Sequence, residues 1–126
     1  NIKIATIKKS IFAIVKSGTV SLEVCKYGIP SIIIYKMNFI NFFIAKLLLK
    51  IKFANMINII NDKEIIPELL QKECNSDEIY KTVNYLLKNQ EIINEQLYHV
   101  NKTIKELTST TSSSREASNV LLSYLI

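Results

Sequence analysis

Glycine and proline are nearly missing from this 126-residue chain, with two of each, and tryptophan is absent. Collagen-like and Pro/Gly-rich low-complexity chains are thereby excluded, and an apolar share of 48% excludes a strongly disordered one. Cysteine is equally scarce. Cys25 and Cys74 lie far apart, no second Cys or His stands at ligand spacing, and the one histidine, His99, is in another segment. That pattern gives no zinc site and predicts two reduced thiols rather than a disulfide. His99 itself, in a segment rich in Asn, Gln and Glu, is expected to be exposed and idle, with no nucleophile or metal partner in view. Arginine occurs once, at Arg115, against fifteen lysines. Without the bidentate guanidinium fork that reads guanine edges, sequence-specific nucleic-acid binding is not expected. No apolar run reaches the ~18 residues a membrane-crossing helix needs. The longest, residues 37–51, is broken by Asn38, Asn41, Lys46 and Lys50.

What the chain does have is an uneven charge. Residues 1–52 hold nine Lys and one acid, Glu23, for a net +8, whereas the remainder is net −3. The first half therefore faces an anion: a phosphorylated ligand, an anionic lipid surface or nucleic acid. Ile, Lys and Asn are also abundant, at 22, 15 and 12 residues, as an A/T-rich genome would produce, which dilutes the charge argument. The length allows one domain, or one half of a two-domain protein. Residue 1 is Asn, and no charged-then-apolar leader precedes the first apolar run, so a segment of a longer chain is expected.

Residues 11–15, Ile-Phe-Ala-Ile-Val, are the kind of run found in a strand buried on both faces of a parallel sheet. The run stops at Lys16-Ser17-Gly18-Thr19. From Val20 to Tyr27 apolar residues at 20, 22, 24 and 27 oppose polar ones at 21, 23 and 26, and Gly28 follows, which predicts a helix closed by a C′ glycine. Ser31-Ile32-Ile33-Ile34-Tyr35 then predicts a second buried parallel strand, completing a β-α-β unit. Farther on, the pattern predicts an amphipathic helix over 41–52, a short strand within 53–60 with a loop through Asn58, Asn61 and Asp62, and a helix starting near Pro67-Glu68. Ser76 reads as the N-cap of a helix to Asn89, and a further helix runs from Glu91 to about Leu107. Seven Ser/Thr residues at 108–114 read as a hinge before a last helix, 115–126, with Ala117, Val120, Leu121, Tyr124 and Leu125 on one face.

Ser17-Gly18-Thr19 falls at the strand-to-helix turn, the edge of an open α/β sheet where ligands bind. Gly18 permits close backbone approach, the two hydroxyls offer polar contacts, and the helix start offers unpaired N–H groups, so a phosphate suits the place. An ordinary Ser or Thr N-cap with nothing bound gives the same tripeptide. Glu23, one turn into the helix, is placed to accept from ribose hydroxyls, or is simply a solvated helical acid. Phe39, Phe42 and Phe43 beside Lys46, Lys50 and Lys52 suit a membrane-surface patch, although a core face with a wet Lys edge is the commoner origin of such a stripe.

Ser17-Gly18-Thr19-Val20-Ser21-Leu22-Glu23, Gly28-Ile29-Pro30 and Ile34-Tyr35-Lys36, in that order, resemble the nucleotide-binding region of GT-B glycosyltransferases, and within them the lipid-A-disaccharide synthase family. Asn58-Ile59-Ile60 and Pro67-Glu68-Leu69-Leu70-Gln71 are similar to that family's Asn-containing loop and the Glu-Leu-Leu-Gln segment after it. The resemblance implies an α/β fold: the Rossmann-like C-terminal half of a GT-B enzyme, a parallel sheet flanked by helices with a helix-rich C-terminus. It implies a UDP-binding set of Ser17, Gly18, Thr19, Glu23, Tyr35, Lys36, Asn58 and Glu68, with no metal, no cofactor, and the general base in an N-terminal half outside this sequence. The implied reaction moves diacylglucosamine from its UDP form to diacylglucosamine 1-phosphate, at the cytoplasmic face of the bacterial inner membrane. Residues 1–107 would form the UDP-sugar domain, and the helix at 115–126 would cross to the N-terminal domain, with exchange of that helix in a homodimer. Lys36 stands where the family usually has Arg, Ile57 where it commonly has Pro, and Asn61-Asp62 where it has a glycine turn. A non-catalytic α/β module binding a nucleotide or anionic lipid is the alternative.

Overall fold

The computed structural model describes residues 2–38, 41, 43 and 52–109. The element order is α1 (Ile2–Lys9), β1 (Ala13–Lys16), α2 (Thr19–Lys26), β2 (Ser31–Tyr35), α3 (Met56–Asn61), β3 (Glu68–Leu70), a 3-10 turn (Gln71–Glu73), α4 (Ser76–Lys88) and α5 (Gln90–Ser109). The three strands form one parallel sheet in the order β1-β2-β3, with Val15 opposite Ile33 and Ile34 opposite Leu69. This is the parallel, helix-flanked α/β architecture expected.

β2 is the central strand and explains the continuous Ile run. Ile33 points into a cluster with Cys25, Ile57, Ile65, Ile66 and Val100, while Ile32 points the other way, to Leu69, Leu86 and Ile93. Both are fully buried, and each contributes about 1.5–3 kcal/mol relative to exposure. One face of the sheet is covered by α2, α3 and the later turns of α5, the other by α4 and the first turns of α5. Gly28 takes φ +67, the left-handed value a C′ glycine supplies, and its N–H bonds Cys25 O at 3.0 Å.

Several local expectations change. β1 begins at Ala13, and Ile11 is 84% exposed ahead of it. Residues 53–60 hold no strand. Asn55 is instead the N-cap of α3, its Oδ1 accepting from Ile57 N at 2.9 Å. Pro67-Glu68 starts no helix, because Glu68–Leu70 pairs with β2 and Pro67 O accepts from Ile33 N at 2.9 Å. Proline is suited to the residue just before a strand, where no ladder donor is needed. The N-cap of α4 is Asn75 rather than Ser76, with Oδ1 accepting from Asp77 N and Glu78 N at 3.1 and 3.0 Å. α1 had no signature in the pattern, and none of its residues is buried. α5 runs through Thr108 and Ser109, the first two residues of the Ser/Thr run. The helix expected over 41–52, the rest of that run and the helix at 115–126 lie outside the described residues, apart from 41, 43 and 52.

Gln96 of α5 fastens the sheet from beneath. Its Oε1 accepts from Ser31 N at 2.9 Å and its Nε2 donates to Ser31 O at 3.0 Å, so both backbone groups of the first β2 residue are satisfied in a buried place.

Candidate functional site

Because β1 and β2 are parallel and Lys16 pairs with Ile34, the residues that follow their carboxyl ends share one edge of the sheet. Ser17, Gly18 and Thr19 follow β1, while Tyr35 ends β2 and Lys36 comes next. Lys16 Nζ lies 5.4 Å from the Tyr35 ring centroid, tying the two strand ends together, and Lys36 is exposed.

Gly18 is the N-cap of α2, at φ 143 and ψ −165, a region open in practice only to glycine. A Cβ there would meet nothing within 4 Å, so the backbone conformation demands glycine and the space beside it is free. Gly18, Thr19 and Val20 are all exposed. Neither hydroxyl caps the helix: Ser17 Oγ donates to Ala54 O at 2.6 Å, and Thr19 is already the first helical residue. The ordinary N-cap arrangement is therefore not what this turn builds. The N-cap of α2 has no side chain, and the N–H groups of Thr19 and Val20 and the positive end of the dipole remain for an outside acceptor.

Glu23, one turn on, is half-exposed and meets Lys3 Nζ of α1 at 2.6 Å through Oε2. That oxygen is shielded from water, and the Lys3 ammonium is what compensates it.

Asn58 and Glu68 are placed differently. Asn58 is fully buried; its Oδ1 accepts from Ile65 N and Ile66 N at 2.8 and 2.9 Å, and its Nδ2 donates to Ile66 O and Glu68 Oε1 at 2.7 and 2.8 Å. Glu68, 7% exposed, also accepts from Ala54 N at 2.6 Å and Asn55 N at 2.9 Å. Three donors on one buried carboxylate replace the water it has lost. Glu68 holds the loop ahead of α3, Asn58 holds the segment after it and orients Glu68, and through the Ala54 carbonyl the first loop is bonded to Ser17. Gln71 braces the neighbouring strand end, accepting from Met37 N at 2.9 Å and donating to Met37 O at 3.2 Å.

Two members of this arrangement escaped the sequence reading, Asn55 and Ser21, whose side chains bond each other at 3.1 Å across 34 positions. Asn55 carried a readable signal, a helix-capping residue before an apolar run, but the partner carried none. His99 is half-buried rather than exposed. Its Nε2 lies 3.8 Å from Glu95 Oε1, beside a cavity of about 100 Å³ that Lys63 and Gln96 also line. Among the described residues no three His, Cys, Asp or Glu side chains are grouped to hold a metal ion, and no helix is long and apolar enough to cross a membrane.

A parallel sheet with helices on both faces and a glycine-capped helix at the carboxyl edge of its first strand is a Rossmann-like unit of the kind glycosyltransferases are built from. The sequence model of the lipid-A-disaccharide synthetase family matches residues 2–122, and the chain belongs to that family. The lipid-A-disaccharide synthase of Rickettsia conorii is 45% identical over 95 residues, 75% of this chain and 21% of its own length. That of Rickettsia bellii is 41% identical over 95 residues, 75% of this chain and 25% of its own length. In Rickettsia canadensis the match is 36% over 123 residues, covering 98% of this chain and 30% of the relative. The chain thus spans between 21% and 30% of the length of these relatives.

Proposed function

We propose that this chain supplies the UDP-binding side of a glycosyltransferase that moves diacylglucosamine from UDP-diacylglucosamine to diacylglucosamine 1-phosphate, giving the β-1,6-linked lipid A disaccharide and UDP. The observation that carries the reading is Gly18: an exposed helix start with no side-chain cap at the carboxyl edge of a parallel sheet, with free space where a Cβ would stand.

In this reading the N–H groups of Gly18 and Thr19 take the diphosphate, with the Thr19 hydroxyl beside them, and the dipole of α2 stabilises the charge that grows on UDP as it leaves. Ser17 fixes the near wall. Lys36 adds a positive charge from the next strand end, where Tyr35 is held by Lys16. Glu23 accepts from the ribose hydroxyls, exchanging its Lys3 partner for them. Glu68, oriented by Asn58, serves the same site from behind, by fixing the loop against which Ser17 is bonded. The general base belongs to a domain outside this sequence. The acylated substrates place the enzyme peripherally on the inner face of the inner membrane, and the net +8 of residues 1–52 suits an anionic surface. Residues 1–107 act as the nucleotide domain; because α5 continues through Thr108 and Ser109, the hinge narrows to 110–114, and the segment 115–126 reaches an N-terminal domain or exchanges in a homodimer.

Isothermal titration of the chain with UDP tests this. Glu23→Gln should weaken UDP by about tenfold, the worth of a charged hydrogen bond, and leave pyrophosphate within twofold. Equal losses for both ligands would remove Glu23 from the ribose. Salt-sensitive binding to anionic vesicles with no response to UDP would point to a non-catalytic lipid-binding module instead.

A further inference from the structure

The Gly18 turn is held by more than its own conformation. Ser21, on the first turn of α2, is 2% exposed, and its Oγ donates to Gly18 O at 2.5 Å while its N–H bonds the same oxygen at 3.1 Å. A serine hydroxyl has one proton, which this bond uses, and its lone pairs must be met from elsewhere. Asn55 Nδ2 supplies that donor at 3.1 Å. Asn55 is itself fully buried: its Oδ1 caps α3 through Ile57 N, and its own N–H is bonded to Glu68. Every polar group along the line is directed by the next.

We propose that Asn55 and Ser21 are positioning residues, a buried relay running from Asn55 amide through Ser21 hydroxyl to the Gly18 carbonyl that aims the Thr19 N–H at the ligand. The peptide unit joining Gly18 and Thr19 is planar and trans, so fixing its oxygen fixes the opposed N–H. Asn55 and Ser21 touch no ligand in this arrangement. Their effect is pre-organisation: the amide a diphosphate needs is held in place before anything arrives. The inference rests on the reading of this turn as the UDP diphosphate site, but the relay itself is measurable without ligand.

Ser21→Ala removes the middle of the relay. UDP affinity should fall about fivefold, the worth of a neutral hydrogen bond, while uridine, which has no phosphate, should bind within twofold of its original affinity. Ser21→Thr, which keeps the hydroxyl, should restore UDP. In the unliganded protein the Thr19 amide should shift in nitrogen–proton correlation spectra of Ser21→Ala and return in Ser21→Thr. If Ser21→Ala does not fold, Asn55→Ser provides the same test: a capping side chain is kept at the start of α3, the amide donor to Ser21 is lost without a new charge, and the Thr19 amide shift and the UDP loss should both appear. Unchanged UDP affinity in a folded relay variant, equal losses for UDP and uridine, or an unmoved Thr19 amide would overturn the relay. Failure of the unaltered chain to bind UDP, with the amide shift still present, would overturn the UDP reading and leave the relay standing.

Discussion

The two faces of the sheet are built on different chemistry. Beneath α4 the packing is apolar: Ile32, Leu69, Leu86 and Ile93, with Phe12, Ile34, Ile79 and Val83 around them. Beneath α2 and α3 the apolar cluster of Cys25, Ile33, Ile57 and Ile66 is threaded by buried polar side chains, Ser21, Asn55, Asn58 and Glu68. Apolar packing is non-directional, so the first face fixes little beyond volume. Hydrogen bonds are directional and costly to leave unmade, so the second face fixes where backbone groups point. The Gly18 turn, proposed above for the diphosphate, is attached to the second face.

The largest expected effect breaks that face at its centre. Asn58→Leu would strand the N–H groups of Ile65 and Ile66 and the Ile66 carbonyl, and would delete one of the three donors on Glu68. Destabilisation of about 3–5 kcal/mol is expected in urea unfolding followed by circular dichroism. On the apolar face, Leu86→Ala leaves a void and no stranded polar group, so about 2–4 kcal/mol should be lost with UDP binding to the folded fraction unchanged. Loss of UDP binding in Leu86→Ala would erase the distinction between the faces.

A pH titration sharpens the contrast. Burial pushes the Cys25 thiol from 9.0 up to about 11. The unfolded chain ionises this thiol at the lower value while the fold keeps it protonated, so the contribution is complete below pH 9 and is lost as pH rises through about 11. Cys25→Ala should remove about 2–3 kcal/mol of the alkaline decline, read as the difference between the two stability curves. The smallest effect belongs to the helix on the apolar side. Asn75→Ala deletes the α4 cap, costs about 1 kcal/mol, and should leave the Gly18 turn untouched by nitrogen–proton correlation.

What the sequence made legible follows the same division. The Ile run of β2, the Gly28 stop and the helical period of residues 76–107 depend on local pattern and came through, along with the position of the Gly18 turn. β3 did not, because three residues are too few to show a period and a strand that opens with a buried Glu68 contradicts its own composition. Only the donors on Ala54, Asn55 and Asn58, 10 to 14 positions away, make that carboxylate tolerable. The sequence suggested a strand in 53–60 from its apolar residues, whereas the Asn55 cap and its bond to Glu68 decide for helix. The strand-to-helix turn at 17–19 was readable from spacing, but the bond between Asn55 and Ser21 was not, since a bond across 34 positions has no sequence signature.

The amide clamp of Gln96 on Ser31 has a consequence in time. The two residues are 65 positions apart, so the central strand cannot satisfy its first backbone pair until the first turns of α5 have been made and docked. A chain leaving the ribosome carries its Ile-rich strand unfinished through that interval, and closure of so long a loop belongs among the slow, non-local steps of folding. Nascent chains stopped before residue 96 should therefore remain open to protease at β2, and α5 acts as the clasp that ends the vulnerable period.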